Sequence, residues 1–327
     1  MSGLVDRFGR IHNYLRISVT DRCNLRCVYC MPPEGIALKP KSDLLTFEEI
    51  TRLSRIFVKH GITKIRITGG EPLVRKDLDQ LLQSLGSING VKTLALTTNA
   101  VLLADKVPVV KAAGVTAINI SLDSLRADRF KEITLRDDFA AVMRAIEKVV
   151  EAGFPTIKLN CVVMAGKNDD EILDFVDFVK DKPVNVRFIE YMPFPNNAWQ
   201  VNGVVSYASM KEMIETRFKL EPMPGQLGDV AKDFALVGHS GTVSFISSMT
   251  DSFCSTCTRL RLTADGCLKT CLFYMPEISL RDAMRSGATD AELEAMILNT
   301  VLDKPEAHPP MEELAGMANR SMVEIGG

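Results

Sequence analysis

The chain has 327 residues, of which 46% are hydrophobic, so it can bury one large core and carry a smaller extension. Its 39 basic and 41 acidic side chains nearly cancel, which excludes a global charge that would hold nucleic acid or an anionic membrane surface. There is no apolar run of about 18 residues and no signal-peptide pattern, so we expect no membrane contact and a cytoplasmic location.

Strand-like runs alternate with helical periodicity over the first two thirds of the chain. Helices are predicted at 47–60, 77–85, 139–152 and 169–180, the first introduced by the capping residue Thr46. Apolar strands separated by helices indicate a mostly parallel sheet, either open and doubly wound or an incomplete (β/α) barrel. The six strands are predicted at 15–19, 64–68, 93–98, 117–122, 156–164 and 185–190.

The pattern changes after Glu190. A loop rich in Pro, Asn and Gly covers 191–203, and regular alternation does not return. No repeat of about 20–50 residues and no low-complexity tract is present. We therefore predict a barrel region at 1–200 and a C-terminal extension at 201–327.

Three cysteines lie in the loop that follows the first predicted strand. Cys23, Cys27 and Cys30 form the pattern C-x3-C-x2-C within the run SVTDRCNLRCVYCM. Three thiolates can hold three irons of a [4Fe–4S] cluster and leave the fourth iron open to another ligand. The alternatives are a zinc site or three unrelated buried thiols. Because neither His12 nor His60 is spaced like a zinc partner, the spacing favours the cluster.

Small and polar residues end the predicted strands, at the edge where parallel sheets place their sites. Gly69 and Gly70 close the second strand in the run ITGGEP, where glycines let a ligand approach the backbone. A plain turn is the alternative there, as it is for the polar ends of the third and fourth strands. The polar residues at these ends are Glu71, Thr97, Thr98, Asn99, Ser121 and Asp123.

A second group of cysteines lies in the C-terminal third. Cys254, Cys257 and Cys271 form C-x2-C-x13-C, and Cys267 lies between the last two. The group permits either a second three-thiolate cluster or a four-ligand zinc site that includes Cys267. Cys161, in the fifth predicted strand, is interpreted as a core thiol.

Basic residues lie in the interiors or at the ends of predicted strands and on a segment after Cys257, and a cation buried at such a position requires an anion. Arg259 and Arg261 are two residues apart, which on an extended segment puts both guanidinium groups on one face and suits a triphosphate. No glycine-rich phosphate loop is present, so side chains would hold the phosphates. Ion-paired rim residues are the alternative. The other cations of this kind are Arg16, Lys64, Arg66, Lys158 and Arg187.

These motifs together resemble the radical S-adenosylmethionine superfamily and, over nearly the whole chain, its GTP 3′,8-cyclase family. One small departure is Ala100, which stands where the family often has glycine. The resemblance rests on Tyr29 just before Cys30, on the runs LRISVTDRC, IRITGGEP, LTTN and IKLN, on the second cysteine group, and on the terminal Gly326 and Gly327.

The resemblance implies an incomplete (β/α)6 barrel whose C-terminal extension carries an auxiliary [4Fe–4S] cluster. Cys23, Cys27 and Cys30 would hold the first cluster and Cys254, Cys257 and Cys271 the second, with Cys267 outside the ligand set. Arg259 and Arg261 would be catalytic together with the first three cysteines, and the glycine tail would reach the active site. S-adenosylmethionine would contact Tyr29, Gly70, Glu71, Ser121 and Met192, and GTP would contact Arg16, Arg66, Thr97, Lys158, Arg259 and Arg261.

The implied reaction is a lyase-class, radical cyclisation of GTP to (8S)-3′,8-cyclo-7,8-dihydroguanosine 5′-triphosphate, the first step of molybdenum cofactor biosynthesis. It would require an external electron donor and pass its product to a cyclic pterin synthase, and the resemblance also implies a homodimer. Two other functions stay open. One is a radical S-adenosylmethionine enzyme that modifies peptides, which usually has more C-terminal cysteines. The other is a non-catalytic iron–sulfur electron carrier, which normally holds its clusters with four protein ligands.

Overall fold

The computed structural model describes residues 3–195, 197–225, 228–275 and 277–326, and Gly327 lies outside these ranges. None of the helices in these ranges is long and apolar enough to cross a membrane. The strands are β1 (Tyr14–Ser18), β2 (Lys64–Thr68), β3 (Thr93–Thr98), β4 (Ala117–Ser121), β5 (Thr156–Val163), β6 (Asn185–Glu190), β7 (Leu220–Pro222), β8 (Lys232–Leu236), β9 (Thr242–Ile246), β10 (Arg259–Leu262), β11 (Cys267–Lys269) and β12 (Glu277–Ser279). The helices are α1 (Phe47–Lys59), α2 (Leu78–Gly86), α3 (Val107–Ala112), α4 (Ala127–Thr134), α5 (Phe139–Glu151), α6 (Ile172–Val179), α7 (Tyr207–Glu215), α8 (Leu280–Arg285), α9 (Asp290–Leu302), α10 (Met311–Leu314) and α11 (Met322–Ile325).

The strands of the described residues form one mixed sheet in the order β12-β11-β10-β1-β2-β3-β4-β5-β6-β9-β8-β7. Strands β1 to β6 are parallel neighbours joined by helices, which confirms the predicted incomplete (β/α)6 barrel. β10 adds in parallel to β1, and β9 adds in parallel to β6. The outer strands β11, β12, β8 and β7 are antiparallel to their neighbours.

Side chains of the parallel strands alternate between a helix-covered side and the interior. On β1, Leu15 and Ile17 are fully buried in the main apolar core. The neighbouring Arg16 therefore faces the interior, as do the residues in register with it on the adjacent strands. Helix α1 supplies part of the apolar cover, with Leu53 and Phe57 fully buried, and begins at a capping box formed by Thr46. The apolar core thus lies between the barrel strands and the helices that cover them, and polar residues line the inside of the barrel.

The structure contains more regular elements after Glu190 than the sequence indicated. β7 to β12 are only three to five residues long, too short to produce a clear hydrophobic period. Because β9 and β10 pair with the edges of the six-stranded barrel, residues after 200 contribute to the same sheet as residues before it. The domain boundary between 200 and 201 stays a prediction.

Candidate active site

The first cysteine group lies in the loop that follows β1, where backbone hydrogen bonds to the end of α4 hold it in place. Cys23, Cys27 and Cys30 are all partly buried. Burial raises the pKa of the Cys23 thiol to about 11 and that of Cys30 to about 12, and it raises the pKa of Cys27 well above its usual value. Thiolates therefore form here only when a bound cation replaces the protons.

The spacing of the cysteines bears on which metal group they suit. Among the described residues, no three His, Cys, Asp or Glu side chains are placed to hold a single metal ion. A [4Fe–4S] cluster is larger, and its thiolates stand further apart because each binds a different iron. The thiols of Cys23, Cys27 and Cys30 are close enough to act electrostatically on one another. The donor set therefore fits a cluster with one open iron.

The ends of β2 and β3 are tied to the first cysteine loop through Glu71. Its carboxylate is 1% exposed and accepts hydrogen bonds from the Thr98 hydroxyl and the Asn99 N–H, each at 2.7 Å. The Asn99 side chain donates to Asn24 Oδ1 at 2.8 Å and lies 3.7 Å from Cys23 Sγ. Burial raises the pKa of Glu71 to about 7 against the effect of these hydrogen bonds. Glu71 thus orients the strand ends around the loop.

The glycines after β2 are required by close packing. The N–H of Gly70 donates to the Thr20 carbonyl at 2.7 Å. A Cβ at Gly70 would lie 2.3 Å from the Arg22 carbonyl oxygen, and one at Gly69 would lie 2.8 Å from that of Thr20. A side chain at either position would push the cysteine loop away from β2. Ala100 has a φ of 63°, a left-handed conformation that favours glycine.

Tyr29 connects the cysteine loop with β4 and β6. Its hydroxyl donates to Asp123 Oδ2 at 2.8 Å, while Asp123 Oδ1 accepts a backbone hydrogen bond from β5. The Asn197 side chain donates to the carbonyls of Met192, at 2.9 Å, and Tyr29, at 3.3 Å. Ser121 is the last residue of β4 and is partly exposed. The structure therefore brings Tyr29, Ser121 and Met192 to the carboxyl ends of the barrel strands, beside the first cysteine group.

The interior below this edge is lined by cations. Arg16 lies level with Arg66 on β2 and with Arg261 on β10. Burial, together with repulsion from neighbouring arginines, lowers the pKa of Arg16 to about 10 and that of Arg261 to about 9. Such clustering costs free energy in the ligand-free protein. The interior cations are Arg16, Lys64, Arg66, Lys158, Arg187, Arg259 and Arg261.

Several of these cations have donors that no described residue satisfies. The buried Nε atoms of Arg187, Arg259 and Arg261 lack a hydrogen-bond partner within the described ranges. Asp233 attracts both Arg187 and Lys158, but burial still lowers their pKa values, to about 10 and about 8. Unsatisfied buried donors are costly, so this interior suits a ligand with several negative charges.

Tyr14 is an interior residue that sequence analysis missed. Arg66 donates from Nε to Tyr14 Oη at 2.6 Å and from Nη1 to Thr97 Oγ1 at 3.2 Å. Burial opposes ionisation of Tyr14, but Arg66, Arg16 and Lys64 outweigh it and lower the pKa of the hydroxyl to about 6. Its position two residues before Arg16 on a strand was the signal that placed it on the same face.

The second cysteine group lies at the opposite end of the cationic interior. Cys257 precedes β10, and Arg259 at the start of β10 pairs with Tyr14 at the start of β1. The first cysteine group instead follows the end of β1. Because β1 and β10 run parallel, the two groups are separated by the length of the strands, about 13 Å for the four steps from Tyr14 to Ser18 at about 3.3 Å each.

The surroundings of the second group favour thiolates. Burial opposes ionisation of Cys257, but Arg259 and Lys304 outweigh it and lower the pKa of the thiol to about 6. At Cys254, a hydrogen bond with His308 outweighs burial and lowers the pKa as well. Anionic sulfur is the form that binds iron, so these residues also fit a cluster.

The Cys267 thiol is contacted by Arg320. Arg320 donates from Nη2 to Cys267 Sγ at 3.4 Å, and from Nη1 to both carboxylate oxygens of Asp265 at 2.9 Å. Burial, Asp265 and Glu277 raise the pKa of the Cys267 thiol. In the part of the chain that the structure describes, no three His, Cys, Asp or Glu side chains are placed to hold a single metal ion, which disfavours the four-ligand zinc alternative. The donor set Cys254, Cys257 and Cys271 stays a prediction.

The C-terminal segment enters the interior. Gly326 follows α11 with a φ of 94°, and its carbonyl accepts a hydrogen bond from Arg16 Nη2 at 3.4 Å. A Cβ at Gly326 would lie 2.7 Å from Ser18 Cβ and 2.8 Å from Thr68 Oγ1. The tail thus reaches the level between the cations and the first cysteine group, and only glycine fits there. Gly327, named with it in the sequence analysis, is outside the described residues.

Comparison with protein families gives two matches that follow one another along the chain. The model of the radical SAM superfamily matches residues 17–179. The model described as Molybdenum Cofactor Synthesis C matches residues 184–310, which include Cys254, Cys257 and Cys271.

Several curated relatives are similar over nearly the whole chain. The mitochondrial GTP 3′,8-cyclase of Arabidopsis thaliana is 50% identical over 325 residues, covering 99% of this chain and 83% of that protein. The GTP 3′,8-cyclase of Listeria monocytogenes is 42% identical, with 100% of both chains covered. Molybdenum cofactor biosynthesis protein 1 of Homo sapiens is 49% identical, but the chain spans about half of it, 51%.

Solved structures with low identity share the fold. Streptococcus suis SuiB has a TM-score of 0.62 at 16% identity, covering 90% of this chain and 66% of that one. AdoMet-bound anSMEcpe has a TM-score of 0.56 at 16% identity, covering 91% and 82%. At this identity the likeness concerns the architecture alone.

Proposed function

Because the chain belongs to the radical S-adenosylmethionine superfamily and, within it, to the GTP 3′,8-cyclase family, we propose that it converts GTP into (8S)-3′,8-cyclo-7,8-dihydroguanosine 5′-triphosphate. This is the first step of molybdenum cofactor biosynthesis. The observation that carries the proposal is the cationic interior between two three-cysteine groups, in which the buried Nε atoms of Arg187, Arg259 and Arg261 have no partner among the described residues. A nucleoside triphosphate supplies the charge and the acceptors that this interior lacks.

The two cysteine groups would hold the cofactors. Cys23, Cys27 and Cys30 would bind a [4Fe–4S] cluster next to the strand ends, and Tyr29, Gly70, Glu71, Ser121 and Met192 would contact S-adenosylmethionine there. When bound, this pair supplies the electron transfer and the hydrogen abstraction that start the reaction. Cys254, Cys257 and Cys271 would bind the auxiliary cluster at the other end of the interior. Substrate placed between them would meet one cofactor at each end.

The interior cations would bind and orient the substrate. Arg16, Arg66 and Arg261 are in register on three adjacent strands. Their guanidinium groups would therefore bind the phosphates together. Arg259 at the start of β10 and Lys158 on β5 would add charge, and Thr97 would hold Arg66 in place. Fixing the triphosphate at several points would set the position of the ribose relative to the first cluster, which is how orientation contributes to rate and selectivity.

The finer parts of the proposal concern partners and location. The reaction needs an external electron donor, and its product would pass to a cyclic pterin synthase. A homodimer and a cytoplasmic location are also proposed, the first from the family resemblance and the second from the sequence. Oxygen-sensitive clusters and free thiols suit a reducing compartment.

The test is anaerobic incubation of the reconstituted, reduced protein with S-adenosylmethionine and GTP deuterated at ribose C3′. The released 5′-deoxyadenosine is then analysed by mass spectrometry. Deuterium in 5′-deoxyadenosine is expected, because the proposal places ribose C3′ next to the radical source. If 5′-deoxyadenosine forms without deuterium while GTP stays intact, GTP is not the substrate, and a peptide-modifying activity becomes the better hypothesis. If no 5′-deoxyadenosine forms, the electron-carrier hypothesis gains support.

A further inference from the structure

A buried lysine lies directly behind the second cysteine group. Lys304 follows α9 and is 3% exposed. Its Nζ donates to the carbonyls of Arg259, at 3.0 Å, and Cys257, at 3.2 Å, and lies 3.6 Å from Cys257 Sγ. The ammonium therefore contacts both the backbone and the sulfur of one proposed cluster ligand.

A chain of hydrogen bonds fixes the orientation of Lys304. Its Nζ lies 3.5 Å from Nδ1 of His12, whose Nε2 is 3.0 Å from Asp6 Oδ2. Burial and the charge of Lys304 lower the pKa of His12 to about 4, so the imidazole is neutral at pH 7. Nε2–H then donates to Asp6, which leaves Nδ1 to accept from Lys304. The neutral His12 thus orients Lys304 toward Cys257 without neutralising its positive charge.

Arg10 joins the segment that follows Lys304 to the turn that carries Cys254 and Cys257. Arg10 donates from Nη1 to the Cys254 carbonyl at 2.8 Å and to the Glu306 carbonyl at 2.6 Å, and from Nε to Asp6 at 2.6 Å. Residues just after Lys304 and the turn that carries Cys254 and Cys257 are therefore held against one another. The placement of Lys304 next to Cys257 is built by several elements rather than by one flexible side chain.

None of the ion pairs between described residues joins Lys304 to a carboxylate. Burial lowers the pKa of Lys304, and the thiols of Cys257 and Cys271 oppose that shift. Burying a lysine costs several kcal/mol unless an anion compensates. A cluster with three thiolates supplies that anion and places it where the ammonium already points.

We propose that Lys304 is a positioning residue of the auxiliary cluster, holding the Cys257 thiolate and raising the reduction potential of the cluster through its buried charge. Reduction adds one electron to the cluster and leaves Lys304 unchanged, so a fixed positive charge stabilises the reduced form more than the oxidised one. Hydrogen bonds to cluster sulfurs and burial are recognised determinants of such potentials. The inference rests on the second cluster of the proposed function, but it does not depend on GTP being the substrate.

The test uses the full chain with Cys23, Cys27 and Cys30 replaced by alanine, so that the remaining iron reports on the auxiliary site. In this background we compare Lys304→Met, the charge-conserving Lys304→Arg and the control Lys269→Met. Lys269 is another fully buried lysine near the group, but its Nζ donates to the Tyr274 carbonyl at 2.8 Å and pairs with Glu277 at 3.7 Å. The measurements are iron and sulfide content and a redox titration with dithionite followed by electron paramagnetic resonance.

In this background Lys304→Met is expected either to lose the auxiliary iron or to keep the cluster with a reduction equilibrium about tenfold less favourable, about 59 mV toward negative potential for one electron. Lys304→Arg should retain most of the effect. Lys269→Met should change iron content and potential less than Lys304→Met, because the charge of Lys269 is paired with Glu277. Full iron with an unchanged potential in Lys304→Met would overturn the proposal. Equal iron loss in Lys304→Met and Lys269→Met would overturn it too, because any buried charge would then have the same effect. A background that binds no iron would refute the auxiliary cluster itself and the role of Lys304 with it.

Discussion

Replacing Arg261 with methionine should weaken GTP binding but leave the stability of the ligand-free fold unchanged or higher. The side chain is 3% exposed and its Nε has no partner among the described residues. Burial, Arg259 and Arg16 lower its pKa to about 9, which means that the ligand-free fold destabilises the ionised group by an amount on the order of a few kcal/mol. Methionine fills a similar volume without the charge, so the ligand-free variant is expected to melt at the same temperature or higher.

GTP binding should weaken in the same variant. Loss of a charge-assisted hydrogen bond to a phosphate costs about 1.5–3 kcal/mol, which corresponds to a roughly 10- to 150-fold higher dissociation constant. The assays are anaerobic equilibrium dialysis with GTP and thermal melting of the ligand-free protein. Arg144→Met, on the exposed side of α5, is the matched control and should change neither quantity. Unchanged GTP affinity in Arg261→Met, or a loss of affinity together with a lower melting temperature, would refute the reasoning.

Four further predictions concern other parts of the interior. The pKa of Tyr14, lowered from 10 to about 6, predicts a tyrosinate absorbance that is present at pH 8, is lost as the pH falls through about 6, and is missing in Tyr14→Phe. The stabilisation that accompanies this shift is complete above pH 10 and is lost progressively as the pH falls from 10 to about 6. Gly326→Ala would place a methyl group 2.7 Å from Ser18 Cβ, so faster hydrogen exchange in the tail is expected with iron content unchanged. Cys254→Ala should lower the iron content by about half and abolish GTP cyclisation while S-adenosylmethionine cleavage persists; normal cyclisation would refute the role of the second group. Ala100→Gly should stabilise the fold by up to about 1 kcal/mol in chemical denaturation, since Ala100 has a φ of 63°.

The barrel was predictable because its strands carry their own signals. β2 (Lys64–Thr68), β3 (Thr93–Thr98) and β6 (Asn185–Glu190) have the predicted bounds, and the other three strands of the six differ by one residue at one or both ends. Each combines β-branched residues with a following turn, which is local information. β10 has no such signal in its four residues, and its place beside β1 depends on pairing between residues 14 and 259, which no local pattern encodes.

The candidate site was predictable to the extent that it depends on spacing. The cysteine groups and the alternation of Arg259 with Arg261 are visible in the sequence, and the structure gives both arginines an interior position. Lys304 was not found, because one lysine near the end of a helix has no sequence feature that distinguishes it from a solvated one. Only the fold reveals that it is 3% exposed and lies 3.6 Å from Cys257 Sγ.

The arrangement of charge along the interior links these observations. In the ligand-free protein some of these cations contact internal acceptors: Arg66 donates to Tyr14 Oη at 2.6 Å, and Arg16 Nη2 donates to the Gly326 carbonyl at 3.4 Å. A triphosphate would offer the same guanidinium groups more negative charge and more hydrogen-bond acceptors. Its net binding free energy is the gain from these contacts minus the loss of the internal contacts that it replaces. Without a bound anion, the repulsion between the interior cations destabilises the fold. The free energy needed to bring these cations together is therefore spent when the protein folds and not when the substrate reacts. Preorganised charge of this kind is what allows a site to orient its substrate without rearranging.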